Sequence, residues 1–171
     1  MPLNASSMLA QLFNAPTRAG QVVWLGTRPR RREPMLVVQT ADFDLAHGVV
    51  GDRYSRAAGS RQVTLLQAEH LAAIASHIGR SDVWPGDLRR NVVTRGINVL
   101  ALKDKRFRIG SAVLETTGEC HPCSRMEEIL GVGGYNAVRG LGGITARIVQ
   151  SGRVSIGDEI VALPRESGSV P

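Results

Sequence analysis

The feature that most constrains the fold is a series of eight short runs rich in β-branched residues, each bounded by Gly, Pro, Asp or Asn. Such runs are typical of short strands. The runs are QVVWLG (21–26), MLVVQT (35–40), RQVTLL (61–66), NVVT (91–94), RFRIG (106–110), AVLETT (112–117), ITARIVQ (144–150) and EIVAL (159–163). We therefore predict a mainly β fold, arranged as a small barrel or a sandwich.

The chain length of 171 residues fits one domain. The strand runs fall within residues 20–163, which we predict to be that domain. Residues 1–19 are then an N-terminal extension with a short helix over 8–14, and residues 164–171 are a flexible tail. Apolar residues at helical spacing in AEHLAAIASHIG (68–79) predict a further helix, which we expect to cover one end of the barrel.

The charge of the chain indicates an anionic partner. Basic residues outnumber acidic ones by 21 to 15, which gives a net charge of +6. Nineteen of the 21 are arginine, whose planar guanidinium suits bidentate contacts with phosphate. The densest run holds Arg28, Arg30, Arg31 and Arg32. Because no aromatic residues interleave with the arginines to stack bases, we expect an anionic small molecule and no nucleic acid.

The apolar residues of the chain are spread over short segments. No stretch of about 18 consecutive apolar residues occurs, and the first residues lack the basic and apolar regions of a secretory signal. We therefore expect a cytoplasmic location and no membrane partner. In that compartment the two cysteines are expected to be reduced unless they are catalytic or bound to a metal.

Both cysteines lie in GECHPCSRMEE (118–128) at the spacing C-x-x-C. This spacing leaves open disulfide exchange, zinc binding, capture of a softer metal, and burial as inert core residues. Haem attachment is excluded, because Ser124 stands where that motif requires histidine. Zinc is disfavoured because no second C-x-x-C or H-x-x-H supplies the missing ligands. A thioredoxin-type role is disfavoured because that motif belongs early in a βαβ pattern.

A helix is predicted to follow the cysteines. Residues 124–127 match the S-x-x-E capping box, and Gly131 can end the helix. Cys123 would then lie immediately before the N-cap residue Ser124. Since a helix N-terminus favours a nearby anion, we expect the Cys123 sulfur to be available as a thiolate.

Six segments in order resemble the MOSC domain, named after the C-terminal domain of molybdenum cofactor sulfurase. They are GVVGDRY (48–54), RQVTLLQAEHL (61–71), LRRNVVTRGINVLAL (88–102), RFRIGSAVLETTGECHPCSRMEEILG (106–131), GGITARIVQSG (142–152) and VSIGDEIV (154–161). The resemblance implies a small closed or partly open β-barrel, related to the pyruvate kinase barrel domain, with a few short helices. It also implies a small stand-alone member of the family.

The resemblance further implies a site. The family's cysteine corresponds to Cys123, which would ligate molybdenum held by the dithiolene of a pterin cofactor, and is the expected catalytic residue. Motif position makes Arg53, Asn91 and Arg147 the expected cofactor-binding residues. The reserve candidates are Arg89, Arg90 and Arg139. Asp52 is expected to fix the turn that it forms with Arg53, or to orient that arginine.

Two functions follow from the resemblance. The first is a small oxidoreductase that reduces N-hydroxylated or related small substrates at a Cys123-ligated molybdenum. Electrons would come from a separate reductase protein, because the chain has no dinucleotide fingerprint and too few cysteines for an iron-sulfur cluster. The alternative is a non-enzymatic carrier of persulfide sulfur or of the molybdenum cofactor.

Three further expectations concern individual residues. Pyridoxal phosphate is not expected, because Lys103 and Lys105 lie in a predicted exposed turn and the sulfurase domain that supplies the Schiff-base lysine is absent. Cys120 is expected to have a supporting role. Tyr54 and Leu141 stand where related small proteins often carry histidine, which weakens substrate assignment by analogy.

Overall fold

The computed structural model describes residues 7–164, and its strands confirm the mainly β prediction. The strands are β1 (Gly20–Thr27), β2 (Leu36–Val37), β3 (Thr40–Asp44), β4 (Gly48–Val49), β5 (Val63–Gln67), β6 (Val92–Arg95), β7 (Arg106–Ile109), β8 (Ala112–Glu119), β9 (Ile144–Gln150), β10 (Gly152–Ser155) and β11 (Glu159–Ala162).

Seven of these strands form a closed barrel in the order β1-β6-β5-β9-β8-β7-β11. Closure occurs where β11 pairs with β1, with Gly20 opposite Ile160 and Gln21 opposite Glu159. Neighbouring strands are antiparallel except β5 and β6, which are parallel and are connected by a crossover that contains a helix. Closure leaves the barrel strands without free edges.

The predicted runs account for the barrel. Seven of the eight runs are the seven barrel strands. The run MLVVQT (35–40) contributes the two-residue strand β2, which extends the sheet beside β1, and the first residue of β3. A second sheet, in the order β10-β3-β4, was not predicted. Its strands are short or carry aspartates, as in TADFD (40–44), so their composition resembles that of a turn.

The interior of the barrel is filled by aliphatic side chains and two phenylalanines, Phe43 and Phe107. Side chains alternate across each strand. Leu65 and Val92 therefore lie in the barrel core, whereas their neighbours Leu66 and Val93 belong to a second apolar cluster on the outer side of the barrel. The molecule consequently has two cores, separated by the wall formed by β5 and β6.

The short helices are α1 (Met8–Asn14), α2 (Glu69–His77), α3 (Ser124–Leu130) and α4 (Gly134–Val138), with 3₁₀ turns at Pro85–Leu88 and Val99–Leu102. The second core includes residues of α2, α3, α4 and the first 3₁₀ turn, whereas Val99 and Leu102 of the other turn pack in the barrel core. Ile74 and Ala75 of α2 pack in the same cluster as Leu66 and Val93. The helix predicted over 68–79 is thus confirmed, but it covers the side of the barrel and not its end.

The terminal predictions have different outcomes. The predicted helix over 8–14 is confirmed as α1, and Ser7 caps it by accepting a hydrogen bond from the Ala10 amide at 3.2 Å. Of the tail 164–171, residues 165–171 lie outside the described residues. None of the helices formed by residues 7–164 combines the length and apolar character needed to cross a bilayer.

Candidate functional site

A cleft of about 280 Å³ opens beside the two cysteines, and we call it the arginine cleft. Its wall is built where the chain leaves β1, β4 and β8 and where it enters β5, β6 and α3. The arginines that line the cleft are Arg28, Arg31, Arg32, Arg53, Arg61, Arg89, Arg90 and Arg125. Glu128 is the one acidic residue among the lining residues. Such a wall favours an anionic ligand.

Cys123 lines this cleft and is solvent-exposed. The residue is the N-cap of α3, with extended backbone angles of φ −127° and ψ 175°, and its carbonyl accepts a hydrogen bond from the Met126 amide at 2.9 Å. The predicted capping box is wrong in two respects: the N-cap residue is Cys123 and not Ser124, and the Glu127 side chain does not cap the helix. Ser124 is the first helical residue, and no side chain caps the helix.

The carboxylate of Glu127 is used elsewhere. It accepts hydrogen bonds from the backbone amides of Gly133 at 2.8 Å and Tyr135 at 2.9 Å. Both amides lie at the start of α4, so Glu127 connects the two consecutive helices instead of closing a box at the start of α3. These hydrogen bonds lower the pKa of Glu127.

Cys120 is a buried residue of the cleft wall, with 2% of its surface exposed. Its amide donates to the Gly143 carbonyl at 2.8 Å, and its sulfur lies 3.7 Å from Nη2 of Arg61. A side chain at Gly142 would collide with the Cys120 carbonyl, which explains why the chain needs glycine there. Cys120 thus packs between two backbone segments, and its supporting role stays a prediction.

Arg90 is buried, with 6% of its surface exposed, and it supports the segment that contains Cys120 and Cys123. Its guanidinium donates to the carbonyls of Leu88 at 2.6 Å, Gly142 at 2.9 Å and Cys120 at 3.2 Å. Burial lowers the pKa of Arg90; the nearby Cys120 opposes this effect and the positive charge of Arg61 adds to it. The cationic side chain therefore ties β6 to the loop that carries both cysteines.

Beneath the cleft lies a buried ion pair between Asp52 and Arg28. The fully buried carboxylate accepts from Arg28 Nη2 at 3.0 Å, from Arg28 Nε at 3.0 Å and from the Arg28 amide at 2.9 Å. It also accepts from the Tyr54 amide at 2.9 Å. Asp52 does fix its own turn, as predicted, but the arginine that it orients is Arg28 and not Arg53.

Asn91, which immediately precedes β6, completes this network. Its Nδ2 donates to Asp52 at 2.7 Å, and its Oδ1 accepts from the amide and hydroxyl of Thr64 at 3.1 Å each. Only 1% of Asn91 is exposed. The residue therefore lies under the cleft and acts on it through Asp52, with no surface free to touch a ligand.

The structure brings together some of the predicted site residues and not others. Cys123 and Arg53 line the cleft, and the reserve candidates Arg89 and Arg90 do so as well. Arg147 lies elsewhere, because strand alternation places it on the exposed face of β9, where its guanidinium pairs with Glu115 at 2.7 Å.

The other outlying candidate is Arg139, which is exposed and whose guanidinium donates to the side chain of Asn136 at 3.4 Å. It does not line the cleft.

Sequence reasoning missed five arginines of the cleft. Two of them, Arg61 and Arg125, lie within the quoted motifs but carried no signal of their own. The other three, Arg28, Arg31 and Arg32, belong to the dense arginine run before β2, which was visible in the sequence but could not be placed. Only the barrel brings this run next to the cysteine segment.

Arg89 occupies a left-handed backbone conformation with φ 57°, directly after the 3₁₀ turn Pro85–Leu88. A non-glycine residue in this region is uncommon and strained. Its guanidinium donates to the Glu33 carbonyl at 2.7 Å, so it connects two segments of the cleft wall. Burial lowers the pKa of Arg89, and the positive charges of Arg28 and Arg125 lower it further.

The described residues offer few ligands for a metal ion. Both cysteines are free thiols, and among residues 7–164 no group of three or more His, Cys, Asp or Glu side chains could hold a metal ion. A zinc ion in a structural site takes four protein ligands, so the described residues do not form such a site. A metal that brings most of its own ligands needs only one protein sulfur.

Comparison with known proteins identifies the architecture. The family model described as the MOSC domain matches residues 46–161. The crystal structure of YuaD from Bacillus subtilis is similar with a TM-score of 0.75 and 22% identity, covering 87% of this chain and 98% of that chain.

Two further crystal structures are of YiiM. The protein from Geobacillus stearothermophilus has a TM-score of 0.69 and 16% identity over 88% of this chain and 78% of its own. The protein from Escherichia coli has a TM-score of 0.66 and 16% identity over 88% of this chain and 73% of its own. None of the curated proteins matches the chain. At these identities the structural likeness concerns the fold.

Proposed function

The chain belongs to the MOSC domain family, which is associated with molybdenum cofactor binding, and on that premise we propose that it binds this cofactor in the arginine cleft through Cys123. The activity that we propose is reduction of N-hydroxylated or related small substrates. The observation that carries the proposal is the exposed Cys123 thiol in a cleft with eight arginines and one acidic lining residue.

The residues present fit the cofactor. A pterin dithiolene supplies sulfur ligands of its own, so a single cysteine thiolate can complete the binding of a soft-ligated metal. Arg31 and Arg53 line the cleft, and among residues 7–164 no hydrogen bond or ion pair engages their guanidinium groups. Such groups suit the phosphate that the pterin carries. By contrast, a metal ion without ligands of its own would find too few donors among the described residues.

In this proposal the cleft residues Cys123, Arg28 and Arg90 have different roles. Cys123 provides the thiolate, and the N-cap position at the end of an extended segment keeps its sulfur at the cleft. Arg28, held in place by Asp52 and Asn91, contributes a pre-organised positive charge. Arg90 holds the cysteine loop against the barrel. When bound, the cofactor supplies a two-electron redox centre able to accept oxygen from a substrate.

The electron source is a separate reductase protein in this proposal, because the chain lacks a dinucleotide fingerprint and has only two cysteines. The exposed thiol of Cys123 favours a second candidate function, a carrier that holds persulfide sulfur or the cofactor for delivery. Delivery requires that a partner protein reach the sulfur, and exposure permits this.

Purification from a host that makes molybdopterin separates these functions. Molybdenum, pterin and protein-bound persulfide are measured together in the wild type, in Cys123→Ser and in the matched variant Cys120→Ser. We expect stoichiometric molybdenum and pterin that are lost in Cys123→Ser and retained in Cys120→Ser. Persulfide without metal would instead support sulfur transfer, and neither molybdenum nor persulfide in the wild type would refute both functions.

Activity then distinguishes the enzyme from a cofactor carrier. The molybdenum-loaded protein is mixed with an artificial electron donor and hydroxylated amidines or purines. Turnover by the wild type, with none by Cys123→Ser, is expected for the reductase. Full cofactor loading without turnover of these substrates would contradict the proposed activity and favour the carrier.

A further inference from the structure

The net positive charge of the molecule is concentrated at the arginine cleft. Eight of the 21 basic residues line it, and the acidic residues there are Glu128 in the wall and Asp52 beneath it. Thirteen basic and thirteen acidic residues are left for the rest of the chain. The cleft therefore carries six excess positive charges, which equals the net charge of the whole chain. One phosphate group neutralises about two of these.

The cleft has an end near the cysteines. Arg61 lies there, since its Nη2 is 3.7 Å from the Cys120 sulfur. The guanidinium of buried Arg90 also reaches this end of the cleft, because its Nη2 donates to the Cys120 carbonyl at 3.2 Å. Arg61 lines the cleft and is exposed, and its side chain makes no other hydrogen bond or ion pair within residues 7–164, so most of its donors are free to bind a ligand.

The opposite end of the cleft is formed by other arginines. Arg53 and Arg89 belong to the side of the cleft formed by the segment after β1, because the Arg53 amide donates to the Arg28 carbonyl at 2.7 Å and the Arg89 guanidinium donates to the Glu33 carbonyl at 2.7 Å. Strand β6 separates β1 from β5, which Arg61 precedes. At Arg125 the Nε atom is buried and has no hydrogen-bond partner within the described residues, which is unusual for a buried donor. Arg53 is exposed, lines the cleft and has no acidic partner in the described part of the chain.

We propose that the arginine cleft contains two oxyanion subsites, one formed by Arg61 at the cysteine end and one formed by Arg53 and Arg89 at the other end. The assignment of one subsite to the cofactor phosphate rests on the proposed function. The other subsite takes a second oxyanionic group, carried by the substrate as a carboxylate, phosphate or sulfonate, or by a nucleotide extension of the cofactor. Both sources present the same oxygen acceptors to a guanidinium fork.

Phosphate titration of the cofactor-free full chain tests the subsites directly. Inorganic phosphate binding is followed at low ionic strength by calorimetry, in the wild type, Arg53→Gln and Arg61→Gln. Both replaced side chains are exposed, so folding is preserved and is checked by thermal melting. Arg139→Gln is the matched control, because it removes the same charge outside the cleft.

Two phosphate ions per chain are expected in the wild type. Arg53→Gln and Arg61→Gln should each weaken a different one of the two sites, by at least about tenfold, because a charged hydrogen bond is lost. Arg139→Gln should leave both affinities unchanged. One phosphate per chain, weakening of the same site by both variants, or an equal effect of Arg139→Gln would overturn the proposal.

The cofactor-loaded protein then identifies the source of the second group. A nucleoside monophosphate released by acid hydrolysis assigns the second subsite to an extended cofactor. Absence of a nucleotide, with one phosphate site still open, assigns it to the substrate, whereas absence of both overturns the proposal. Two phosphate sites in a chain that never acquires molybdenum would support the subsites and refute the proposed function.

Discussion

The variant Asp52→Asn tests whether the buried ion pair supports the cleft. The fully buried Asp52 carboxylate holds Arg28, whose side chain is only 17% exposed. Each carboxylate oxygen accepts hydrogen bonds from at least three donors of Arg28, Tyr54 and Asn91. An amide NH₂ group at either position would face these donors, so the variant loses acceptors as well as the negative charge.

The size of the stability loss in Asp52→Asn follows from the burial of the ion pair. Removal of one partner of a buried ion pair costs about 3–5 kcal/mol, and the partial exposure of Arg28 places this case near ~3 kcal/mol. For a protein of this size such a loss lowers Tm by roughly 6–12 °C. The phosphate affinity of the cleft should fall in parallel, because Arg28 is no longer held in position.

Circular dichroism melts and urea titrations measure this effect. Asp42→Asn is the matched control, since it removes the same charge from the exposed ion pair between Asp42 and Arg153 and should leave Tm unchanged within error. The double variant Asp52→Asn/Arg28→Gln should recover part of the lost stability, because the uncompensated buried charge is gone. A Tm for Asp52→Asn equal to that of Asp42→Asn would refute the reasoning.

Three other substitutions have defined outcomes. Gly143→Ala should destabilise the protein by more than about 1 kcal/mol in urea titrations. The loss should also exceed that of the control Gly96→Ala, because both glycines have φ near +80° but only at Gly143 would a Cβ collide with backbone atoms. Burial raises the pKa of Glu115, but hydrogen bonds from Arg106 and Arg147 outweigh burial and hold the pKa below its usual 4.5. The ionised Glu115 side chain therefore stabilises the fold above pH 4.5, and this stabilisation is lost as the pH falls further. The stability difference between wild type and Glu115→Gln should consequently vanish in acid, and a constant difference from pH 7 to pH 3 would contradict it. Glu128→Gln should raise the phosphate affinity of the cleft several-fold in calorimetry, because it frees the guanidinium groups of Arg125 and Arg32, which bind Glu128 at 2.6 and 2.7 Å. An unchanged affinity would show that these groups do not face the ligand.

The barrel could be predicted from the sequence because its strands are marked locally. Each run, such as ITARIVQ (144–150), combines β-branched residues with boundaries that break regular structure, and the barrel strands match those runs closely. The strands β3, β4 and β10 lack this composition and form only because the rest of the fold places them side by side. The capping box at Ser124 failed for a related reason, since tertiary partners in α4 compete for the Glu127 carboxylate.

The candidate site divides along the same line. The motif around Cys123 predicts a reactive sulfur from the sequence alone, because cysteine spacing and helix signals are local properties of the chain. Local signals could not separate the arginines that line the cleft from those that do not. Arg147 occupies a conspicuous motif but faces outward on β9, whereas Arg28 and Arg61 line the cleft although nothing in the sequence distinguished them from neighbouring arginines.

The amino-acid sequence by itself determined the strands and the family and indicated Cys123 as the candidate sulfur, since each depends on residues close together in the chain. Only the tertiary structure decided which positive charges surround that sulfur. Barrel closure brings Arg28, Arg90 and the cysteine segment together from three distant parts of the chain, and strand alternation turns other arginines away. The charge of the cleft is therefore a property of the folded surface, to which no single segment of the sequence corresponds.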